Sequence, residues 1–255
     1  MQKFNYMKVL TLNRCQYLTQ IPDVSGLPNL EKLSFRFCEN LITIHNSVGF
    51  LKRLEILDAG FCIKLQSFPP LQLPCLKKLE LAMCKSLKSF PELLCKMTNL
   101  KDIWLRQTFI GELPFSFQNL SQLGRLQIYQ CGMLRFPKHN DKMNSMVFSN
   151  VNHLRIEKCN ISDEFLRILL MWCVNVDNLV LSESNFKILP ECLSECHLLK
   201  HISVDGCKFL EEIRGFPPNL EGFHAKECYS LSSSSRRMLL SQVCLLFYCA
   251  VVFDR

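Results

Sequence analysis

No run of five basic residues occurs in this 255-residue sequence, although 30 Lys and Arg stand against 23 Asp and Glu, for a net charge of +7. A nucleic-acid surface concentrates positive charge in a stripe. Charge interleaved in this way reads as a solvated face with a mild excess of lysine, so no nucleic-acid partner is expected. A membrane-spanning run is also missing. The most apolar segment, Val243–Phe253, would rise only ~17 Å as a helix against a hydrocarbon core of ~30 Å. Extended back to Met238 it stays short and takes in Ser241 and Gln242. Uncharged and rich in β-branched and aromatic residues, it is an aggregation hazard instead. Met1–Tyr6 lacks the apolar stretch of a secretory signal, which points to a reducing cytosol or nucleus. The sequons Asn119-Leu-Ser121 and Asn160-Ile-Ser162 then read as chance matches.

The chemistry of the common enzyme classes is absent too. There is no phosphate loop of the form G-x-x-x-x-G-K-[ST], no G-x-G-x-x-G, no H-E-x-x-H and no G-x-S-x-G. Cys192, Cys196 and His197 come nearest to a metal site. Their spacing is loose for zinc and no second ligand pair follows at a fixed distance, so buried structural cysteines are the better reading. His153, His201 and His224 are scattered along the chain at positions where surface residues are expected. No enzyme activity, metal or cofactor is expected.

What the sequence does contain is a phrase, L-x-x-L-x-L-x-x-C, repeated about ten times at steps of 21 to 28 residues. Its first position falls at Met7, Leu30, Leu54, Leu76, Leu100, Leu123, Val151, Val176, Leu199 and Leu220. Leucine-rich repeats have this period, each giving one short strand and one return segment. One unit cannot bury its apolar side alone, whereas a stack can. The expected fold is therefore α/β, a leucine-rich-repeat solenoid (horseshoe). Its concave side is a parallel sheet of about ten short strands, and its convex side carries short helices or irregular segments such as 92–97 and 115–119. Asp163–Cys173 reads as a true helix with Phe165, Ile168, Leu169 and Trp172 on one face. Pro137–Asn150 reads as a protruding insertion. The expected domain boundaries are 1–235 for the repeats and 236–255 for a divergent apolar tail.

The ninth position is Cys15, Cys38, Cys62, Cys84, Cys131, Cys159, Cys207 and Cys228, with Thr108 and Ser184 in the other two units. A small residue with a hydrogen-bonding tip can turn inward there and bond the loop backbone. Fifteen cysteines would suggest disulfides in a small secreted chain, but eight of them share one repeat position, so repeat geometry explains them better. An apolar residue before proline, as in Ile21-Pro22 and Leu189-Pro190, marks the turn away from the strand.

Strand side chains alternate, so the third, fifth and seventh positions point outward in columns one strand spacing (~4.8 Å) apart. These columns place Trp104, Arg106, Arg125, Tyr129 and Arg155 together as the candidate protein-binding face. Trp, Tyr and Arg are the types most enriched in interface hot spots. The alternative for Trp104 is that it lies flat on its neighbours and contacts no partner. A second patch, Phe37, Phe61 and Met83 at the eighth position, reads as a partner site or as an edge tucked under the turns, with the tuck favoured.

Several whole phrases carry a resemblance. They are Leu18-Thr-Gln-Ile-Pro-Asp-Val-Ser-Gly-Leu-Pro-Asn-Leu30, Cys38-Glu-Asn-Leu-Ile-Thr-Ile-His-Asn-Ser-Val48 and Glu112-Leu-Pro-Phe-Ser-Phe-Gln-Asn-Leu120. With the cysteine form of the repeat and the Leu-Pro punctuation, they resemble the leucine-rich-repeat region of plant intracellular disease-resistance proteins with TIR and nucleotide-binding domains. The resemblance covers about residues 4–242. It implies a recognition and autoinhibition module, with a pathogen effector or guarded host protein as partner and the nucleotide-binding domain of a full-length receptor as a second one. It implies no catalytic residue here, and the TIR and nucleotide-binding domains are not in the sequence. On this reading the residues from Val243 onward are translated intron or a gene-model truncation, and the chain is a fragment or a short product without function. The rival reading is a substrate adaptor of a ubiquitin ligase, which needs an amphipathic docking helix before Met7.

Overall fold

Each L-x-x-L-x-L phrase forms a strand of three to five residues, because its alternate apolar side chains can all be buried on one side of an extended backbone. The computed structural model describes residues 4–136 and 150–245, with side chains to 241. The insertion expected at Pro137–Asn150 and the apolar run beyond Leu245 lie almost wholly outside the described residues. The chain divides into two compact units. Unit 1 holds residues 4–123 with Phe136, and unit 2 holds residues 124–135 and 150–245.

In unit 1, strands β1 (Val9–Thr11), β3 (Lys32–Ser34), β5 (Ile56–Asp58) and β6 (Lys78–Glu80) form a parallel sheet in that order. Their register aligns Leu10, Leu33, Leu57 and Leu79, the fourth position of each repeat. Strand β7 (Asp102–Arg106) follows, with the Met83 N–H donating to the Arg106 carbonyl at 2.8 Å. The return segments carry a second, smaller pairing of β2 (Gln20–Ile21) with β4 (Thr43–Ile44). Short 3-10 turns at Asn46–Phe50 and Phe115–Asn119 complete the return side, while 92–97 is irregular and bridges back through Leu93 to Leu71. Gly49 is required in the first of these turns, since a Cβ there would stand 2.0 Å from the Pro70 carbonyl oxygen.

Unit 2 repeats the plan. Strands β8 (Arg125–Tyr129), β9 (His153–Glu157), β10 (Asn178–Val180), β12 (His201–Ser203) and β14 (Gly222–His224) pair in parallel in that order. Strand β11 (Ile188–Leu189) pairs with β13 (Glu212–Ile213) on the return side. The longer return after β9 is helix α1 (Asp163–Trp172). Ser162 caps it by accepting from the Phe165 N–H at 3.1 Å, and Asp163 and Glu164 lie in its first turn, where negative charge is favourable. Its buried residues are Phe165, Leu166, Leu169, Leu170 and Trp172, whereas Ile168 is only half-buried. Three of the four expected residues are thus buried, joined by Leu166 and Leu170, and β11 docks at the start of the helix: Asp163 Oδ1 accepts from the Lys187 and Ile188 N–H groups at 2.7 and 3.0 Å. A second helix, α2 (Ser233–Leu245), spans the residue 235/236 boundary expected from the sequence. Its Ser235 hydroxyl accepts from the Ile213 N–H at 3.1 Å.

The fourth and sixth positions are buried in every repeat except the first, where Leu10 and Leu12 are half-buried. The strand then ends in one uniform way. Every eighth residue, from Arg14 to Glu227, has positive φ between 51° and 72°, and only Gly206 is glycine. That reversal turns the ninth side chain inward. There Cys38 Sγ donates to the Leu12 carbonyl at 3.0 Å, Cys62 to Phe35 at 3.2 Å and Cys84 to Ala59 at 3.2 Å. In unit 2 Cys207 donates to Leu181 and Cys228 to Val204, both at 3.1 Å. Ser184 Oγ makes the same contact to Ile156 at 3.3 Å. In each case the acceptor is the sixth-position carbonyl of the preceding repeat, so the ninth residues form a ladder. Cys15 is exposed, and every other ninth-position cysteine is buried. All cysteines among the described residues are free.

Two predictions follow from the ladder. Cys84→Ser keeps a donor and is expected to cost no more than about 1 kcal/mol. Cys84→Val removes the thiol donor between repeats, leaving the Ala59 carbonyl with the Cys62 N–H at 3.3 Å, and is expected to cost about 0.5–1.5 kcal/mol more than the serine variant. Urea denaturation of the two variants compares them directly, and equal losses would remove the hydrogen bond from the account. The second concerns alkali. Burial pushes the thiols of Cys84, Cys159 and Cys207 up to about 12 and that of Cys228 to about 11, from an ordinary 9.0. The folded state then holds more protons than the unfolded state between pH 9 and 12, so stability falls as pH rises through that window. Melting midpoints should be level below pH 9 as far as these groups are concerned and drop above it, and the drop should shrink in a Cys84→Ser, Cys207→Ser variant.

Candidate protein-binding face

The outward columns of unit 1 are held by short local contacts. Asn13 Oδ1 accepts from the Ser34 hydroxyl at 2.7 Å and from the Arg36 N–H at 2.8 Å. Asp58 Oδ1 accepts from the Gly60 N–H at 3.0 Å and Glu80 Oε1 from the Ala82 N–H at 3.1 Å. A fifth-position acid therefore folds back onto the backbone of its own seventh position, which fixes its direction. On β7 the same columns carry Trp104 and Arg106. Trp104 is 55% exposed. Arg106 is exposed as well.

The other three candidates belong to unit 2. Arg125 is exposed and Tyr129 half-buried on β8, with Lys158 Nζ 5.6 Å from the centre of the Tyr129 ring. Lys158 is also paired with Glu183 at 3.3 Å. Arg155 on β9 is exposed but already engaged. Its Nε and NH2 donate to the two oxygens of Glu157 at 2.6 and 3.0 Å. That bidentate grip holds the guanidinium more firmly protonated than usual. It makes Arg155 a poor free anchor, because a partner's carboxylate would have to displace Glu157. His153, between them, is held below its ordinary pKa chiefly by burial, against the opposing pull of Asp177, with the charges of Arg155 and Arg125 adding to the depression. Unit 1 thus gathers Trp104 and Arg106 on one strand, and unit 2 gathers Arg125, Tyr129 and Arg155 on two.

At the eighth-position patch, Phe37, Phe61 and Met83 are half-buried. The two rings stack, and Arg14 and Arg36 lie against them. Left-handed backbone at the eighth position points these side chains outward beside the seventh column, and strand alternation alone gives no sign of that. Among the described residues no group of three or more His, Cys, Asp or Glu can hold a metal ion. Cys192 is half-buried, Cys196 buried and His197 exposed. No described helix is long and apolar enough to cross a membrane.

Parallel strands at a 21- to 28-residue step, joined by short returns and a ninth-position ladder, define a leucine-rich-repeat protein. A solved leucine-rich-repeat protein of Leptospira interrogans shares this fold, with a TM-score of 0.50 and 17% identity, over 98% of this chain and 73% of that one. No protein-family profile matches the chain. Its sequence is 29% identical over 230 residues to TMV resistance protein N of Nicotiana glutinosa, covering 89% of this chain and 19% of that protein. It is 32% identical over 211 residues to disease resistance protein RPP4 of Arabidopsis thaliana, covering 82% and 17%. The chain is accordingly a homologue of the plant disease-resistance proteins that combine TIR, nucleotide-binding and leucine-rich-repeat regions. It spans less than a fifth of the length of these relatives.

The two tryptophans provide a check on the site. Trp104 is 55% exposed and Trp172 only 4%. Acrylamide should quench the native emission in two populations, and Trp104→Phe should leave only the blue-shifted, poorly quenched one. A single well-quenched population in that variant would contradict both placements.

Proposed function

We propose that this chain is a protein-binding recognition module of an intracellular plant immune receptor, acting in the cytoplasm or nucleus and performing no chemistry of its own. The observation that carries the reading is the open face of β7, where Trp104 and Arg106 stand exposed on a scaffold homologous to plant disease-resistance proteins. An exposed Trp beside an Arg on a rigid strand supplies a large contact area at small entropic cost, together with a planar hydrogen-bonding fork. The free, buried thiols of the ladder suit a reducing compartment. The partner in this reading is a pathogen effector or a guarded host protein. Contact with the nucleotide-binding domain of a full-length receptor would serve autoinhibition.

The test is a partner selected on the full chain from a displayed plant library, with its affinity then measured against Trp104→Ala and Arg106→Ala. Each variant is expected to bind at least about tenfold more weakly, or ~1.4 kcal/mol, with an unchanged far-ultraviolet circular dichroism spectrum and melting midpoint. Unchanged affinity in both variants would move the site away from β7.

A further inference from the structure

Unit 1 presents a second feature at the ends of its strands. The Phe37 and Phe61 rings stack with centroids 4.5 Å apart and planes 25° from parallel. The Arg36 guanidinium carbon lies 5.3 Å from the Phe37 centroid and 5.1 Å from that of Phe61, and the Arg14 carbon lies 5.3 Å from Phe37. Met83 takes the next eighth position and, like both rings, is half-buried. All three apolar side chains sit on left-handed backbone, with φ of 61°, 65° and 62°. Glycine or asparagine meets that conformation with less strain than a bulky residue does.

The two guanidiniums are not equivalent. Arg36 is 3.7 Å from an Asp58 carboxylate oxygen. Arg14 is exposed, and among the described residues no carboxylate comes within ion-pair reach of it. A guanidinium laid on an aromatic ring has already given up much of its side-chain freedom, and its edge still carries a fork of N–H donors shaped for a carboxylate. Arg14 therefore carries a positive charge at one end of this strip, whereas the side chains of Asp58 and Glu80 both lie close to Gly60 farther along it.

We propose that Arg14, Phe37, Phe61 and Met83 form a docking strip for an acidic segment of a protein partner. A carboxylate of that segment would sit on the Arg14 fork, and a neighbouring apolar side chain would cover Phe61 and Met83. The proposal rests on the protein-binding reading and adds the chemistry of the partner to it. Arg36 lies beside the ring stack and is paired with Asp58, so Arg14 carries the selection for the carboxylate.

The experiment is a nuclear magnetic resonance titration of the labelled full chain with three probes: acetyl-aspartyl-leucyl-leucine amide, its asparaginyl counterpart and inorganic phosphate. The Arg14 side-chain N–H and the Phe37 ring are followed. Saturable shifts at both are expected with the aspartyl peptide. The asparaginyl peptide should bind about tenfold more weakly, and Arg14→Gln should weaken the aspartyl peptide by a similar factor. Because the Arg14 side chain is exposed, that variant keeps the fold, which its amide spectrum verifies. Equal response to the two peptides, no saturable shift, or an aspartyl response untouched by Arg14→Gln would each overturn the proposal. Phosphate binding as tightly as the aspartyl peptide would also overturn it, since the strip would then be an anion site without preference for a protein segment. None of these outcomes bears on Trp104, whose test reads the affinity of a whole partner at a different strand.

Discussion

The structure depends on what happens to the sixth-position carbonyl of each repeat. The chain has just left the strand, the carbonyl faces the interior, and the ninth N–H of its own repeat meets it from one side, as Cys38 does Phe35 at 3.3 Å and Cys207 does Val204 at 3.1 Å. The thiol of the ninth residue in the next repeat supplies a second donor, as between Cys62 and Phe35 or Cys228 and Val204. The bond joins consecutive repeats at the point where the strand ladder stops. It requires the eighth residue to reverse the backbone, which is why ten successive repeats adopt positive φ there with whatever residue they carry. A serine serves as well, as Ser184 shows by bonding the Ile156 carbonyl. The selection is for a small side chain with a donor at its tip, and sulfur is incidental to it.

With the inward positions and the turn committed in this way, variation is confined to the outward columns and the eighth position. There the two units differ in character. Unit 1 shows acids folded onto their own backbone, a ring stack with two arginines against it, and an open Trp104. In unit 2 the outward charges are largely satisfied among themselves: Arg155 by Glu157, and Lys158 by Glu183 together with the Tyr129 ring. Surface pairs of this kind contribute little to stability, on the order of 0–1 kcal/mol each. Their effect is on recognition, since a partner must displace an existing contact before making a new one.

How far the sequence could be read follows from the same division. The period, the strand positions, the buried columns and the small ladder residue were all legible, because each is an inward position repeated about ten times under one constraint. Helix α1 was legible from its 3.6-residue pattern, and so was the burial of Phe165, Leu169 and Trp172. The tie of Asp163 to β11 was not, because it joins residues 24 and 25 apart in the chain. Phe37 and Phe61 are legible as a column, but not the direction of their rings. Their direction comes from left-handed backbone that no residue type at those positions announces, since arginine, phenylalanine, glutamine and glutamate all adopt it.

The sequence by itself therefore determined the architecture and the family, because burial and hydrogen-bond satisfaction act on every repeat alike and leave a periodic mark. Only the tertiary structure decided how exposed each outward side chain is and what holds it. Whether Trp104 is open, Arg155 held or Arg14 laid on a ring depends on distances between side chains more than twenty residues apart, or on one local turn, and none of these recurs with the repeat.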